Sequence, residues 1–510
     1  MPHQISIIDA ERMMRMWKKN RWMRPERVMA LGFLALILLG GVLLSLPCAA
    51  QNGRSIGLGN GLFTATSAVC VTGLVAVDTG TTFSLFGQLT LLLLIQIGGL
   101  GFMAFATLTM MLLGRKIGLR DRMLLRESMN TSGMSGLVRL TRWYLTAALV
   151  IEGGGAVLLA IRFVPLLGWG KGVYFSIFHA VSAFCNAGFD LFGHFSSLTA
   201  FQNEPLVLLT ISALIVLGGT GFAVLGEVTR QRFQWRELSL HSRLVLGMTG
   251  VLLLMGMTFF CLTEWHNPAT LGGISGAGNK LVNALMQSTT MRTAGFNSVD
   301  LASMRQSSKL MSIILMFIGA SPASTGGGVK TTTVAVLALT VWSVIRGDAD
   351  VQLARRRVPP GLIRRALAIV SISLAMALGG TMLLTLLEGD GQPFLDMMFE
   401  AFSAMATVGV SSAGTPNLTA GSKTVLALMM FFGRVGPDDG KRAGEPSESQ
   451  CVKDSLPGGR DYDWVTNPCR NDQSCAYTVL HDVPSINTRT LYAVALNSIA
   501  RKGVQRVEDP

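Results

Sequence analysis

The chain has 510 residues, of which 50% are hydrophobic and 14% are charged, and its formal net charge is +13. This composition excludes a disordered or ordinary soluble protein and indicates a membrane protein. The Lys and Arg residues fall in separate clusters between apolar segments, which favours the cytoplasmic loops of a membrane protein over a nucleic-acid-binding face.

The first apolar segment, Val28 to Leu46, follows a basic run from Arg12 to Arg27. Its 19 residues are long for a secretory signal that ends near Cys48, so we expect a retained helix. The seven cysteines contain no C-x-x-C pair, and neither a metal site of cysteines nor a disulfide framework is expected. A helix needs about 20 residues to cross a hydrocarbon core. Four further apolar segments are long enough: Leu85 to Leu113, Leu206 to Leu225, Leu244 to Leu262 and Ala366 to Leu387.

Basic clusters divide the chain into four similar parts. They lie at the N-terminus, at Arg115 to Arg142, Arg230 to Arg243 and Arg346 to Arg365, and at Lys441 with Arg442. If all are cytoplasmic, an even number of crossings separates each pair. We therefore expect an all-α polytopic membrane protein in which four helix, pore-loop, helix repeats surround a single central pore. The predicted parts are a basic N-terminus (1–27) and repeats at 28–142, 143–243, 244–365 and 366–437.

One glycine recurs in each part, at Gly73, Gly188, Gly295 and Gly409, with spacings of 115, 107 and 114 residues. Six residues before each glycine stands a hydroxyl side chain. The stretch before each glycine, such as Leu62 to Cys70, is too short to span a membrane as a helix. Each stretch is therefore expected to enter the membrane and turn back. The hydroxyl side chains that stand six residues before the glycines are those of Ser67, Ser182, Thr289 and Ser403.

These glycine segments predict a selectivity filter. Irregular backbone at membrane depth is tolerated only where it is buried in protein or lines a watery cavity, and rings of backbone carbonyls can replace the hydration shell of potassium. Glycine accepts the backbone conformations that such a loop needs. The alternative, close helix packing, is expected for Gly98, Gly99, Gly218 and Gly219. The predicted filter comprises Val71-Thr72-Gly73, Asn186-Ala187-Gly188, Thr293-Ala294-Gly295 and Thr407-Val408-Gly409.

With these four loops the sequence resembles the Ktr/Trk/HKT superfamily of potassium transporters, and within it the KtrB-type membrane subunits, over about residues 20–437. The resemblance implies potassium uptake across a bacterial inner membrane, with a cytoplasmic N-terminus and no enzymatic activity. It implies a homodimer on a cytosolic ring of nucleotide-binding, KtrA-like regulatory subunits. No cofactor is expected apart from transported potassium, and sodium dependence stays open.

The second helix of the third repeat is interrupted by a run of small residues from Gly319 to Gly328, which cannot be regular helix under lipid. The resemblance implies a gating loop there, and a static kink is the alternative. Arg434 matches the family's arginine that projects into the pore below the filter. Lys330 fits either the gate or a membrane interface. The predicted gate residues are Gly319, Ser321, Ser324, Thr325, Gly326, Gly327, Gly328 and Lys330.

Two other functions are weighed against potassium transport. Sodium or ammonium could use the same fold, because selectivity depends on filter geometry. Gly319-Ala320-Ser321-Pro322 with His179 suggests an intramembrane serine protease, in which a fourfold repeat has no role. We expect His179 and Glu152 to be interhelical hydrogen-bonding groups.

After residue 437 the hydropathy falls sharply, and 438–510 contain no spanning segment. A frameshift, a fusion or an assembly error would explain the switch, and a genuine soluble extension is the alternative. We expect a disordered tail, and a last helix, from Val425 to about Pro437, that is short of the bilayer.

Overall fold

The computed structural model describes residues 25–101, 137–232, 234–347, 351–353 and 356–436. All of them belong to one compact unit, Met1–Ala443. The tail predicted at 438–510, which includes a second unit at Gly444–Pro510, lies outside the described residues, as does most of the basic N-terminus.

The regular secondary structure of the described residues is helical apart from one short ladder, in which β1 (Gln352–Leu353) pairs antiparallel with β2 (Arg356–Arg357). The prediction of an all-α fold is confirmed. The helices are α1 (Pro25–Ser45), α2 (Leu58–Val69), α3 (Thr79–Thr82), α4 (Leu85–Leu100), α5 (Leu137–Leu167), α6 (Trp169–Phe184), α7 (Pro205–Thr220), α8 (Phe222–Arg230), α9 (Leu240–Glu264), α10 (Ala277–Thr290), α11 (Gln306–Phe317), α12 (Thr331–Arg346), α13 (Pro360–Glu388), α14 (Phe394–Met405) and α15 (Ala420–Val435).

Four of these helices, α1, α5, α9 and α13, are long and apolar enough to cross a membrane. Only 22 to 28% of each apolar window is buried inside the protein. The remaining apolar side chains, such as Leu38, Val150 and Leu383, are exposed on the outer surface. Because apolar surface of this extent is stable in lipid and not in water, these helices form the outer layer of a multi-pass membrane protein.

Each long helix is followed by a short one, α2, α6, α10 or α14, and this second set forms the core. Their inner residues are fully buried, including Phe63, Phe178 and Phe399. A third set follows in the same order: α4, α7, the pair α11 and α12, and α15. At 16 residues, α4, α7 and α15 are each about 24 Å long. The chain thus repeats the order long helix, short helix, closing helix four times.

Several boundaries differ from the sequence predictions. The long helices begin at Pro25, Leu137, Leu240 and Pro360, a few residues before the predicted starts at 28, 143, 244 and 366. Helix α15 begins at Ala420, five residues before Val425, because the Thr419 hydroxyl accepts a hydrogen bond from the Ser422 amide and caps the helix. It is therefore as long as α4 and α7, and at about 24 Å it is shorter than a hydrocarbon core of roughly 30 Å.

The apolar segment Leu206 to Leu225 is not one straight helix. It bends by 98° between α7 and α8. Gly221 lies at the bend with φ of 92°, a conformation that favours glycine. The freed amide of Phe222 donates to the Ala323 carbonyl at 3.1 Å. The bend therefore brings repeat two into contact with the interrupted segment of repeat three.

Candidate functional site

The four short helices all end in the same left-handed turn. The residue two before each recurring glycine and the glycine itself both have positive φ. Positive φ is rare for non-glycine residues and very rare for β-branched ones, so its occurrence in all four segments indicates a shared backbone path. The values are 57° and 99° for Val71 and Gly73, 60° and 70° for Asn186 and Gly188, 67° and 84° for Thr293 and Gly295, and 52° and 91° for Thr407 and Gly409.

Backbone hydrogen bonds explain this path. In three segments the amide of the residue before the glycine donates to the carbonyl five residues earlier, which satisfies one of the last free carbonyls of the helix. The distances are 2.8 Å from Thr72 to Ser67, 2.7 Å from Ala187 to Ser182 and 2.8 Å from Val408 to Ser403. In the third segment Ala294 instead bonds Thr290 at 3.1 Å. The third segment is therefore the least regular.

The four glycines meet at one place. A Cβ on Gly188 would stand 2.5 Å from the Cα of Gly295, and one on Gly73 would stand 2.5 Å from the carbonyl oxygen of Ala187. A Cβ on Gly295 would stand 3.0 Å from the Val408 oxygen. Glycine is thus required here by space as well as by φ. The carbonyl oxygens that neighbour these glycines belong to Thr72, Ala187, Ala294 and Val408.

Hydroxyl groups brace these turns. Ser67 Oγ accepts a hydrogen bond from the Gly73 amide at 3.0 Å, and Ser403 Oγ accepts one from the Gly409 amide at 3.0 Å. Ser182 Oγ instead donates to the Phe189 carbonyl at 2.8 Å. Since both partners are buried, each bond fixes the backbone of its turn. In the third segment Thr289 bonds its own helix, at the carbonyl of Leu285.

The closing helices support the same turns from behind. Gly98, Gly218 and Gly433 lie so close to the carbonyls of Val69, Phe184 and Met405 that no Cβ would fit. These three carbonyls each belong to the residue four before a recurring glycine. Among the described residues, the third repeat lacks such a contact, because its closing helix is broken between α11 and α12.

The break, Gly319 to Gly328, is fastened to repeat two. Ser321 and Thr325 donate their amide hydrogens to the carbonyls of Gly219 and Gly218, at 3.1 and 3.3 Å. The Thr325 hydroxyl lies 3.3 Å from the Asn186 side-chain oxygen. The segment is therefore an ordered structure with its own hydrogen bonds, and the Ser324 hydroxyl closes a further turn by donating to the Ser321 carbonyl at 2.6 Å.

The glycines of this break lie directly against the predicted filter. A Cβ on Gly326 would collide with the Thr293 hydroxyl, and one on Gly327 would collide with the Thr407 hydroxyl. The Thr407 hydroxyl is buried and has no hydrogen-bond partner. The segment thus covers one end of the turns formed by repeats three and four.

Two cations hold the segment. Arg434 donates from one terminal nitrogen to the Thr325 carbonyl and from the other to the Gly98 carbonyl, the latter at 2.5 Å. Lys330 donates to the Gly326 carbonyl at 2.8 Å. Arg434 therefore joins repeats three, four and one below the turns.

Other polar residues from the sequence are placed apart from this centre or support it. Both nitrogens of His179 are engaged, with the Phe175 carbonyl at 2.7 Å and the Leu191 amide at 3.4 Å. The Ser321 hydroxyl instead faces Thr331. Neither arrangement forms a serine nucleophile with a histidine base. Glu152 accepts from Gln96 of α4 at 3.1 Å, an interhelical hydrogen bond.

Two buried cations were not predicted from the sequence. Arg292, three residues before Gly295, is only 7% exposed. Lys309 of α11 forms a 2.6 Å ion pair with Asp396 of α14, which also accepts from Ser412. A charged residue inside an otherwise apolar or small-residue stretch was the available signal in each case.

Fold and site together define a multi-pass membrane protein built around one centre of buried backbone carbonyls. The family model for TrkH, described as a cation transport protein, matches residues 33–437. The chain belongs to this family of membrane cation transporters and is not an enzyme.

Named relatives share most of their length with this chain. It is 42% identical to the Ktr system potassium uptake protein B of Bacillus subtilis over 422 residues, covering 82% of this chain and 93% of the relative. It is 41% identical to the protein of the same name from Vibrio alginolyticus, covering 81% and 89%. It is 39% identical to the potassium/sodium uptake protein NtpJ of Enterococcus hirae, covering 81% and 91%.

A solved structure has the same fold. The crystal structure of the potassium transporter TrkH from Vibrio parahaemolyticus superimposes with a TM-score of 0.59, over 79% of this chain and 82% of that chain. The two sequences are 17% identical.

Proposed function

We propose that this chain is the ion-translocating subunit of a potassium uptake system, with potassium bound by the backbone carbonyls of the four glycine turns. The observation that carries the proposal is the meeting of four left-handed turns, whose carbonyl oxygens crowd around the four glycines. The names of the relatives support potassium as the ion.

Physical chemistry favours a cation at this centre. The short helices direct their C-terminal ends, which carry partial negative charge, toward the turns. Carbonyl oxygens can replace the water that a dehydrated potassium ion loses. The buried hydroxyls of Ser67 and Ser403 hold two of the turns in place and so maintain the spacing of their oxygens.

The segment Gly319 to Gly328 acts as the gate of this pathway in the proposal. Gly326 and Gly327 lie against the lower end of the turns, where they block the path of an ion. The segment is held by hydrogen bonds to carbonyls, which include those from Arg434 and Lys330. A neutral bond contributes about 1 kcal/mol and a bond to a charged group about 1.5–3 kcal/mol, so a few such bonds set how firmly the segment is held.

The proposal also covers location and partners. The basic residues Arg364 and Arg365 near the start of α13 fit a cytoplasmic position. The protein would then lie in the bacterial inner membrane with its N-terminus on the cytoplasmic side. The word "system" in the relatives' names supports partner subunits, which we propose to be a second copy and a cytosolic nucleotide-binding ring. Size measurement of the purified particle, alone and with a candidate ring, tests this arrangement: a particle of one copy that never binds the ring contradicts it.

Sodium is the second candidate ion, because one relative is named for both potassium and sodium. Ammonium and protease activity have no such support.

A growth experiment tests the proposed function. Cells that lack potassium uptake receive the full chain, a Gly295→Ser variant or a matched Gly278→Ser control. Gly278 lies on α10 with open space around its Cβ position, whereas Gly295 has φ of 84° and a Cβ there would stand 2.8 Å from Gly188. We expect growth at limiting potassium with the full chain and the control. Gly295→Ser should support less growth, because the variant loses its preference for potassium.

Equal growth with Gly295→Ser and the control would contradict the assignment of the filter. Failure of the full chain to support growth, despite insertion in the membrane and supply of a regulatory ring, would contradict the proposed function.

A further inference from the structure

The position three before each recurring glycine is small in three repeats and charged in one. The residues are Cys70, Cys185, Arg292 and Ala406. Where the contacts are given, the neighbour is a glycine of the preceding repeat, in its closing helix or in the break of repeat three. Gly99 lies against Cys185, with a Cβ there 2.7 Å from the Cys185 Cβ, and Gly328 lies near Ala406. The equivalent neighbour of Arg292 is Gly219, which lines the same cavity.

Two arginines therefore lie on opposite sides of the site, each at a boundary between two repeats. Arg292 lies where repeat two meets repeat three. Arg434 bonds Gly98 and so lies where repeat four meets repeat one. In a cyclic order of four repeats these two boundaries are diagonal. The break in repeat three runs between them, since Ala320 lines the cavity of Arg292 and Thr325 bonds Arg434.

The two arginines differ in their partners. Arg434 donates to two carbonyl oxygens. Arg292 is 7% exposed, its Nε is buried without a partner, and among the described residues no side-chain hydrogen bond or ion pair reaches its guanidinium group. Burial of an unpaired guanidinium group is unfavourable in a protein interior, and more so at membrane depth. The Nε of Arg292 is therefore a buried donor that can still accept a partner.

A cavity of about 10 Å³ lies beside Arg292, enough for roughly one water molecule. Its walls come from α7, α9, the end of α10 and the first residues of the break, and its lining includes Leu253, Thr289 and Ala320. The cavity is too small for a lipid headgroup or a phosphate. The break contributes Ala320 to this lining. The Ala320 carbonyl oxygen accepts from the Thr331 amide at 3.3 Å here, so a bond to Arg292 uses its second lone pair or follows a movement of the segment.

We propose that Arg292 is the second binding position of the gating segment Gly319 to Gly328, which it holds by hydrogen bonds to backbone carbonyls when the segment withdraws from Arg434. The inference rests on the proposed function. Arg434 binds the segment while it lies across the turns, and Arg292 binds it after it has moved toward its own base at Ala320. Arg292 is thus a positioning residue for the open pathway.

The test measures potassium flux into liposomes that contain the purified full chain. Arg292→Met removes every donor, Arg292→Lys retains a charged donor, and Arg305→Met is the control, because Arg305 is exposed and its side chain makes no hydrogen bond among the described residues. We expect Arg292→Met to lower the maximal flux about tenfold, by loss of a charged hydrogen bond, with an unchanged KM for potassium. Arg292→Lys should recover most of the flux.

A second variant leaves Arg292 intact. Leu253→Phe fills the cavity from α9 and should lower the maximal flux, again without change in KM. This variant still tests the role of Arg292 if Arg292→Met fails to fold.

Unchanged flux in both Arg292→Met and Leu253→Phe would overturn the inference. So would a changed KM or a changed preference for potassium over sodium at constant maximal flux, because Arg292 would then act on the filter. If the unaltered chain carries no potassium, the proposed function fails and the inference falls with it, whereas flux in the unaltered chain that Arg292→Met and Leu253→Phe do not lower refutes the inference alone.

Discussion

Replacement of Arg434 by Gln should open the pathway. In the present arrangement the guanidinium group is anchored at Gly98 and donates to the Thr325 carbonyl of the gating segment. A shorter, neutral side chain cannot span both carbonyls. The variant should therefore lose the connection between α15 and the gating segment while the fold of the four turns is retained.

The magnitude follows from the bond that is lost. A hydrogen bond to a charged group contributes about 1.5–3 kcal/mol. If about 2 kcal/mol of this favours the closed arrangement, its loss changes the ratio of closed to open molecules roughly 30-fold. The Lys330 bond to Gly326 and the backbone bonds to Gly218 and Gly219 remain, so the closed arrangement persists as a fraction of the population.

Initial rates of potassium efflux from liposomes measure this effect. Arg434→Lys separates charge from hydrogen bonding, since it keeps the positive charge but cannot reach two separate carbonyls. We expect both variants to raise the rate, with an unchanged preference for potassium over sodium. A rate equal to or below that of the unaltered chain, in correctly inserted Arg434→Gln, refutes the reasoning. A raised rate in Arg434→Gln alone would assign the effect to charge and not to the hydrogen bonds.

Two further variants test the support of the site. Lys309→Met leaves the Asp396 carboxylate without its cation, which should cost about 3–5 kcal/mol of stability. The double variant Lys309→Met with Asp396→Asn should recover part of this loss. Equal thermal unfolding temperatures of the variants and the unaltered chain in detergent would show that the 2.6 Å ion pair does not stabilise the fold. Ser403→Ala removes the acceptor of the Gly409 amide and should weaken the preference for potassium, whereas Thr289→Val, which alters a hydroxyl bonded within its own helix, should not. Competition uptake with sodium distinguishes the two, and equal selectivity in both variants would contradict a bracing role for Ser403.

The recurring glycines made the centre of the site predictable from sequence. At Gly73, Gly188, Gly295 and Gly409 a positive φ coincides with contacts that leave no space for a side chain, so the physical requirement leaves a visible period. The family model and the relatives agree with the resemblance that this period indicated. The assignment of these residues as a filter stays a prediction.

Other features left weaker signals in the sequence. The bend at Gly221 lies inside a continuous apolar run, and hydropathy does not distinguish a bent segment from a straight one. Arg292 lines the same cavity as Gly219, 73 positions earlier in the chain, and a single sequence does not show such proximity. The start of α15 was missed because the cap at Thr419 precedes the apolar run by several residues.

The proposed function requires the four glycine turns to bind and select potassium. Parallel measurement of potassium and sodium flux, in liposomes containing the full chain or its Gly295→Ser variant, tests it most directly. We expect faster flux of potassium than of sodium in the full chain and loss of that difference in the variant, with Gly278→Ser unchanged. Equal flux of the two ions in the full chain, or a difference that survives Gly295→Ser, would contradict it.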